Sequence, residues 1–148
     1  MTLTEIRGNL FAAPNDCFFA HCISGDYALG AGIAKSFNEK FDMRKKLRMM
    51  YPVGSVSANG YRSYMGRALL VDNTFNLVTK ERYWMKPIYP TLRHSLEDMK
   101  RQCVSLCIKK VAMPKIGCGL DQCNWEYVKQ IISDVFKDTD VEITVYYL

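Results

Sequence analysis

The sequence lacks any apolar run close to the roughly 18 residues that a membrane-spanning helix needs, which excludes a helical membrane protein. Residues 1–5 have neither a basic start nor an apolar core, so we expect no secretory signal and a cytoplasmic location. Repeats, low-complexity tracts and linkers are also missing. The length of 148 residues suits one domain with its own core, over residues 1–148.

The sequence contains cysteines, but they lack the spacing that is typical of metal sites. None of the six cysteines belongs to a C-x-x-C pair, and Cys118 and Cys123 fit no common zinc motif. Carboxylates and histidines show no ligand spacing either. We therefore predict free thiols in a reducing compartment, with no metal and no cofactor. The net charge of +5 weakly favours anionic partners.

Strand-like and helix-like segments alternate along the chain. Apolar or alternating residues predict strands at 3–7, 18–23, 68–72, 75–79, 111–113 and 141–147, although 68–72 and 75–79 also fit one bent strand. Apolar spacing predicts helices after Gly32, after Pro87 and after Asn124, which is placed as an N-cap. This alternation is typical of an α/β sheet that is covered on both sides. Residues 52–64 give a poor signal, and the segment 57–66 has no assigned role.

Two short glycine loops, at residues 30–32 and 117–119, each follow a predicted strand. Because glycine has no Cβ, the neighbouring backbone N–H groups can close around a phosphate oxygen. Two such loops at strand ends can hold the two phosphates of a diphosphate from opposite sides. The pattern therefore predicts a nucleotide diphosphate as ligand.

Two common phosphate-binding motifs are incomplete in this sequence. Residues 25–30 have the glycine spacing of a P-loop, but Ala31 and Gly32 stand where that motif needs Lys and then Ser or Thr. A dinucleotide fingerprint begins at Gly30 but has Lys35 in place of its third glycine. Triphosphate chemistry is therefore disfavoured.

Several motifs follow one another in a fixed order along nearly the whole chain. They are Gly-Asn-Leu-Phe at 8–11, Ala-His-Cys-Ile-Ser at 20–24, Gly-Ala-Gly-Ile-Ala at 30–34 and Pro-Lys-Ile-Gly-Cys-Gly-Leu-Asp at 114–121. In this order they resemble the macrodomain family of ADP-ribose binders. The resemblance implies a three-layer α/β/α sandwich with a central mixed β-sheet.

Further motifs narrow the resemblance. They are Thr-Lys at 79–80, Lys-Pro at 86–87, Trp-Glu at 125–126 and Ile-Thr-Val-Tyr at 143–146. With the others, they resemble the terminal ADP-ribose protein glycohydrolase subfamily, also described as O-acyl-ADP-ribose deacylases. This implies a hydrolase that removes ADP-ribose from acidic side chains and deacylates O-acyl-ADP-ribose.

The catalytic pair that the resemblance implies is Lys80 and Asp121. Lys80 is expected to attack ribose carbon C1″ and form a covalent intermediate, which Asp121 helps to resolve. From the residues alone, Lys80 also fits a solvated surface lysine, and Asp121 fits an acceptor for backbone N–H groups ahead of the last helix.

The resemblance also implies a set of ADP-ribose contacts, namely Asn9, Leu10, His21, Ser24, Gly30, Gly32, Ile33, Pro114, Ile116, Gly117, Cys118, Gly119, Leu120 and Tyr146. Asn9 replaces the family's common Asp, and its amide oxygen can accept the same bond from adenine. Tyr83 and Trp84 fit either the substrate entrance or the core. The basic stretch at 44–48 fits a solvated helix face, with nucleic-acid binding as the alternative.

Three functions compete at this point. The first is the hydrolase, with ADP-ribose, ADP-ribosylated proteins linked through Glu or Asp, and O-acyl-ADP-ribose as partners. The second is a module that reads ADP-ribose without cleaving it, which needs neither Lys80 nor Asp121. The third is a hydrolase of ADP-ribosylated DNA, because antitoxin-type macrodomains resemble this chain at Thr79 and Lys80. We expect a monomer in each case.

Overall fold

A mixed β-sheet forms the centre of the molecule in the computed structural model, which describes residues 1–52 and 64–148. Its strands are β1 (Thr2–Arg7), β2 (Phe18–Ser24), β3 (Ala68–Val71), β4 (Thr74–Lys80), β5 (Lys110–Met113) and β6 (Glu142–Tyr147). The spatial order is β1-β6-β5-β2-β4-β3. Neighbouring strands pair in parallel, except that β3 runs antiparallel to β4. Thus the carboxyl ends of β2, β4 and β5 meet at one edge of the sheet.

Helices cover both faces of this sheet. They are α1 (Gly32–Phe41), α2 (Met43–Met50), α3 (Tyr89–Leu106) and α4 (Trp125–Phe136), with a short 3-10 helix at Leu10–Ala12. Helices α1 and α2 contact β2 and β3, whereas α3 and α4 pack together on the other side. The predicted three-layer α/β/α sandwich with a mixed sheet is therefore confirmed.

Strand β2 shows how the sequence builds both layers. Ala20 belongs to the apolar core under α3 and α4, while Phe19 and Ile23 belong to the clusters under α1 and α2. Successive side chains of a strand point to opposite faces, so a strand buried on both sides reads as one apolar run. Asn124 caps α4 as predicted, because its side chain accepts a hydrogen bond from the Tyr127 N–H.

The structure corrects two expectations, on residues 68–80 and on the basic stretch, and a third concerns a segment that it describes only in part. Residues 68–71 and 74–80 form two antiparallel strands, so the single bent strand is wrong. The basic stretch lies on α2, where Lys45 and Arg48 are exposed but Arg44 and Lys46 are half-buried. It is therefore not a uniformly solvated face. Of the segment 57–66, residues 57–63 lie outside the described residues.

Within 1–52 and 64–148, each helix is too short or too polar to cross a bilayer.

Candidate functional site: a cavity between two glycine loops

A cavity of about 1000 Å³ opens at the carboxyl edge of the sheet. One wall is the end of β2 with the first glycine loop and the start of α1. The opposite wall is the segment from Pro114 to Asp121, which joins β5 to α4. Lys80 and residues 83–86, which follow β4, complete the lining. Loops at this edge of an α/β sheet are the usual place for a ligand site.

Lys80 and Asp121 meet inside this cavity. The Lys80 ammonium donates a hydrogen bond to Asp121 Oδ1 at 2.6 Å. Only 14% of the Lys80 side chain and 15% of the Asp121 side chain are exposed. The alternative of a solvated surface lysine is therefore excluded, and Lys80 is placed where a ligand can reach it.

The two glycine loops approach each other across the cavity. Gly32 has a φ of +59°, and a Cβ built on it would lie 3.7 Å from Leu120 Cδ1 of the opposite wall. Gly117 has a φ of +72°, and a Cβ there would lie 3.3 Å from Cys123 Sγ. Both positions favour glycine because L-residues with a Cβ rarely adopt this conformation.

Helix α1 begins at the first glycine loop without a side-chain cap. Its N-cap residue is Ala31, which cannot accept a hydrogen bond from the first helical N–H groups. The helix dipole and those N–H groups favour an anion at this end. Ala31 and Gly32 line the cavity, so the end of α1 that favours an anion lies at the candidate ligand site.

The chain entering the first glycine loop is conformationally strained. Tyr27 and Leu29 have φ values of +54° and +43°, although neither is glycine. Both are buried. The Arg44 guanidinium, on α2, donates to the Tyr27 carbonyl at 3.1 Å and also to the Ala28 carbonyl. Arg44 therefore stabilises a left-handed segment that costs free energy by itself.

An exposed aromatic pair stands at the rim of the cavity. Tyr83 and Trp84 are 63% and 67% exposed, so the alternative of core packing is excluded. Their ring centroids lie 5.1 Å apart in an edge-to-face arrangement. Near them, the Lys86 ammonium donates to the Leu120 carbonyl at 2.8 Å, which joins the segment after β4 to the second glycine loop.

The thiols around the cavity are poor nucleophiles. Burial and, to a smaller extent, the nearby Asp121 carboxylate raise the pKa of Cys22, which lines the cavity, to about 12. Burial also raises the pKa of Cys118 to about 11. Because the thiolate is the reactive form, neither group is activated at neutral pH.

Most predicted site residues line the cavity, namely Ser24, Gly30, Gly32, Ile33, Lys80, Pro114, Ile116, Gly117, Gly119, Leu120 and Asp121. They come from four separate parts of the sequence. The parallel strands β2, β4 and β5 bring these parts to one edge.

The remaining predicted residues are not part of the lining. Asn9 Oδ1 accepts a hydrogen bond from the Phe11 N–H at 3.0 Å, so that oxygen already has a donor. Leu10 is buried, Tyr146 packs against the same cluster, and the Cys118 thiol donates to the Ile116 carbonyl.

His21 is a core residue. It is fully buried, stacks on the Phe37 ring at 3.9 Å and shares a 2.6 Å hydrogen bond between Nε2 and Asn76 Oδ1. Burial lowers its pKa to about 4. This side chain is not part of the cavity lining, so the structure places the predicted ligand contact His21 in the core behind it.

Some lining residues were not predicted from the sequence, namely Cys22, Ile23, Ala28, Leu29, Ala31, Ala34, Met85, Lys86 and Lys115. Most are direct neighbours of predicted residues, so extending each motif by a few positions identifies them. Lys86 had a further signal, because Lys-Pro at 86–87 carried part of the resemblance.

The chain belongs to the Macro domain family, whose profile matches residues 25–132. It is 42% identical over 147 residues to "ADP-ribose glycohydrolase OARD1" of Bos taurus, which covers 99% of this chain and 91% of that protein. It is 25% identical to a "DNA ADP-ribosyl glycohydrolase" of Thermus aquaticus over 154 residues, covering 97% of this chain and 41% of that protein.

A solved structure gives an independent comparison of the fold. The macrodomain of Mycobacterium tuberculosis DarG superposes with a TM-score of 0.79 at 23% identity, covering 99% of this chain and 98% of that chain. At that identity the similarity establishes the macrodomain fold alone.

Proposed function

We propose that this protein is an ADP-ribosyl hydrolase that removes ADP-ribose from acidic side chains and deacylates O-acyl-ADP-ribose. The observation that carries the proposal is the 2.6 Å contact between Lys80 and Asp121 inside the cavity. The bovine relative named as an ADP-ribose glycohydrolase, matched over almost the full chain, supports the same activity.

The cavity suggests how ADP-ribose is held. The diphosphate fits between the N–H groups of the two glycine loops, at the start of α1. The distal ribose then lies towards the Lys80 and Asp121 pair. In this orientation C1″ is the atom that the Lys80 amine meets.

The first chemical step breaks the bond between C1″ and the acyl oxygen. A lysine is a nucleophile only as the neutral amine, so the Lys80 ammonium must first pass a proton to Asp121. Exclusion of water by the ligand favours this transfer, because it replaces an ion pair by two neutral groups. The amine attacks C1″, and Asp121 returns the proton to the departing acyl oxygen.

The second step releases ADP-ribose from the enzyme. Water attacks C1″, the bond between C1″ and Nζ breaks, and Asp121 takes the proton from the water. That proton then passes to the free amine, which restores the original pair. The net reaction adds one water across the ester and needs no other reactant.

A second candidate function is hydrolysis of ADP-ribosylated DNA. The Thermus aquaticus relative is named for that activity. The exposed Tyr83 and Trp84 rings at the rim of the cavity support this candidate, because exposed aromatic rings can stack on a nucleic-acid base. A pure reader of ADP-ribose is less favoured, because binding alone needs no half-buried lysine against a carboxylate.

The two functions are separated by offering two substrates to the purified protein. One is a protein labelled with ADP-ribose on glutamate, and the other is an oligonucleotide labelled on thymidine. We expect the wild type to release ADP-ribose from the protein, and Lys80→Ala to lower this rate by about 10³-fold or more. Lys110→Ala is the matched control, because Lys110 pairs with Asp16 at 2.8 Å on the far side of the molecule.

The intermediate gives a further test. Asp121→Ala is expected to accumulate a mass increase of one ADP-ribose on Lys80. Release from the oligonucleotide alone would favour the second function. Tight ADP-ribose binding by the wild type without release from either substrate would identify a reader and overturn the proposal.

A further inference from the structure

Asp26 lies behind the cavity wall and holds three groups of the site at once. Its Oδ1 accepts hydrogen bonds from the Ser24 hydroxyl at 2.5 Å and from the Ala28 N–H at 3.1 Å. Its Oδ2 accepts from the Tyr83 N–H at 3.0 Å. Ser24, Ala28 and Tyr83 line the cavity, whereas Asp26 itself does not.

The two segments that Asp26 joins are already in close contact. Strand β2 shifts its register against β4 between Ile23 and Ser24, where Ser24 comes to pair with Lys80. The Gly25 N–H donates to the Lys80 carbonyl at 2.8 Å. A Cβ on Gly25 would lie only 3.3 Å from the Glu81 carbonyl oxygen, so the two backbones fit closely.

Beyond this contact the two segments diverge. One leads through the strained Tyr27 to the first glycine loop, and the other leads to the aromatic rim. The bonds from Asp26 to Ala28 and Tyr83 tie the segments together past the point where strand pairing ends. Charge-assisted bonds to backbone N–H groups are stronger than neutral ones, so a carboxylate suits this role.

We propose that Asp26 is a positioning residue that couples the first glycine loop to Lys80 and the aromatic rim. Seating of the diphosphate on the loop then fixes the chain that carries the nucleophile. The consequence for catalysis rests on the proposed function, but the coupling itself does not. Loss of the coupling leaves ADP-ribose able to bind while C1″ and Nζ are poorly aligned, which lowers kcat more than it raises KM.

The test uses Asp26→Asn in the full chain. An asparagine has one acceptor oxygen, so it can accept either from Ser24 and Ala28 or from Tyr83. Its NH₂ group then faces the donor on the other side, and that hydrogen bond is lost. Asp72→Asn is the matched control, because Asp72 is an exposed carboxylate that pairs with Lys46 away from the cavity. Asp26→Glu restores the carboxylate and is expected to recover part of the activity.

Two readouts are measured. Backbone amide hydrogen exchange is followed with and without ADP-ribose. In the wild type, ADP-ribose is expected to slow exchange in both segments, at 28–32 and at 81–85. In Asp26→Asn it is expected to slow only the first. With the ADP-ribosylated protein, kcat is expected to fall about 10- to 100-fold while KM changes less than threefold.

The outcomes are distinct. Slowed exchange in both segments of Asp26→Asn, or an unchanged kcat in a variant that folds, would overturn the positioning role. A wild type that releases nothing would overturn the proposed function, while the exchange data would still decide the coupling. Asp26→Asn can fail to bind ADP-ribose, and the test then rests on Asp26→Glu. If Asp26→Glu binds ADP-ribose but exchange at 81–85 is not slowed, the carboxylate does not couple the segments.

Discussion

The two walls of the cavity hold similar glycine loops by different means. The first wall combines apolar clusters with buried polar groups: His21 and Asn76 lie under α1 and α2, and Arg44 binds two carbonyls of the chain that enters the loop. The second wall rests mainly on apolar packing, because Met113 and Ile116 belong to the core under α3 and α4, with the Lys86 bond to the Leu120 carbonyl at its outer end. The first wall should therefore respond to protons and charge, and the second to shape.

Backbone turns complete the second wall. The Cys118 N–H donates to the Lys115 carbonyl at 3.1 Å, and the Cys123 N–H donates to the Gly117 carbonyl at 2.8 Å. These bonds do not titrate. Three changes test the contrast between the walls, and they are ordered by the size of the expected effect.

The largest effect is expected from acid acting on His21. Burial lowers its folded pKa to about 4, whereas an unfolded histidine titrates near 6.5. Between these values the unfolded chain binds a proton that the folded chain does not. The contribution of neutral His21 to the free energy of unfolding is fully present above about pH 6.5 and is lost as the pH falls. At pH 4 the free energy of unfolding is lower by about 3 kcal/mol through this group. Urea denaturation at several pH values measures it.

The control for this experiment removes the titration and keeps the hydrogen bond. His21→Gln retains an amide N–H for Asn76 but binds no proton in this range. Its unfolding free energy should therefore fall less steeply with acid, since only the carboxylates and other groups contribute. Equal slopes for the two proteins would show that the first wall is not sensitive to protons through His21.

The next effect is expected from Arg44→Met. The variant keeps much of the apolar stem but leaves the Tyr27 and Ala28 carbonyls without their donor. We expect about 1–2 kcal/mol lower stability and about tenfold weaker ADP-ribose binding, because the strained loop loses its anchor. Arg48→Met, on the exposed side of the same helix, is the control for charge. Calorimetric titration that gives equal affinity for both variants would contradict this role.

The smallest effect is expected in the second wall, from Gly117→Ala. Its positive φ and the 3.3 Å approach to Cys123 Sγ predict a loss of about 1 kcal/mol of stability, with little dependence on pH. Gly119→Ala is the matched comparison, because its Cβ would meet no atom of residues 1–52 and 64–148 within 4 Å. Thermal unfolding that shows the same loss for both would mean that local shape does not decide the stability of this loop.

Local patterns predicted much of the fold. The apolar stripe along α3, the Asn124 cap of α4 and the doubly buried β2 are all local signals, and each element was confirmed within a few residues. The left-handed Asp42 that separates α1 from α2 was not predicted. Asp42 ends α1 as a left-handed cap whose N–H donates to the Asn38 carbonyl, a conformation that apolar spacing along a helix does not record.

The same distinction between local sequence signals and contacts made by folding applies to the residues of the site. Lys80, Asp121 and the glycine loops belong to motifs that are short runs of sequence, and the structure brings them to one cavity. Arg44 and Asp26 were not predicted, because each acts on a backbone group that only folding brings near. His21 lies in the core and not in the cavity lining, because its motif includes strand residues from both faces and only the pleat decides which of them reach the cavity.

The strand order has one more consequence, for how the protein folds. Because β2 lies between β4 and β5, its neighbours are strands that come much later in the chain. A fragment that lacks β4 or β5 therefore cannot hold Lys80 and Asp121 together beside Ser24. Ligand affinity therefore arises only when the last of these strands is in place. Added ADP-ribose should raise the unfolding temperature of the whole domain, as a single cooperative transition.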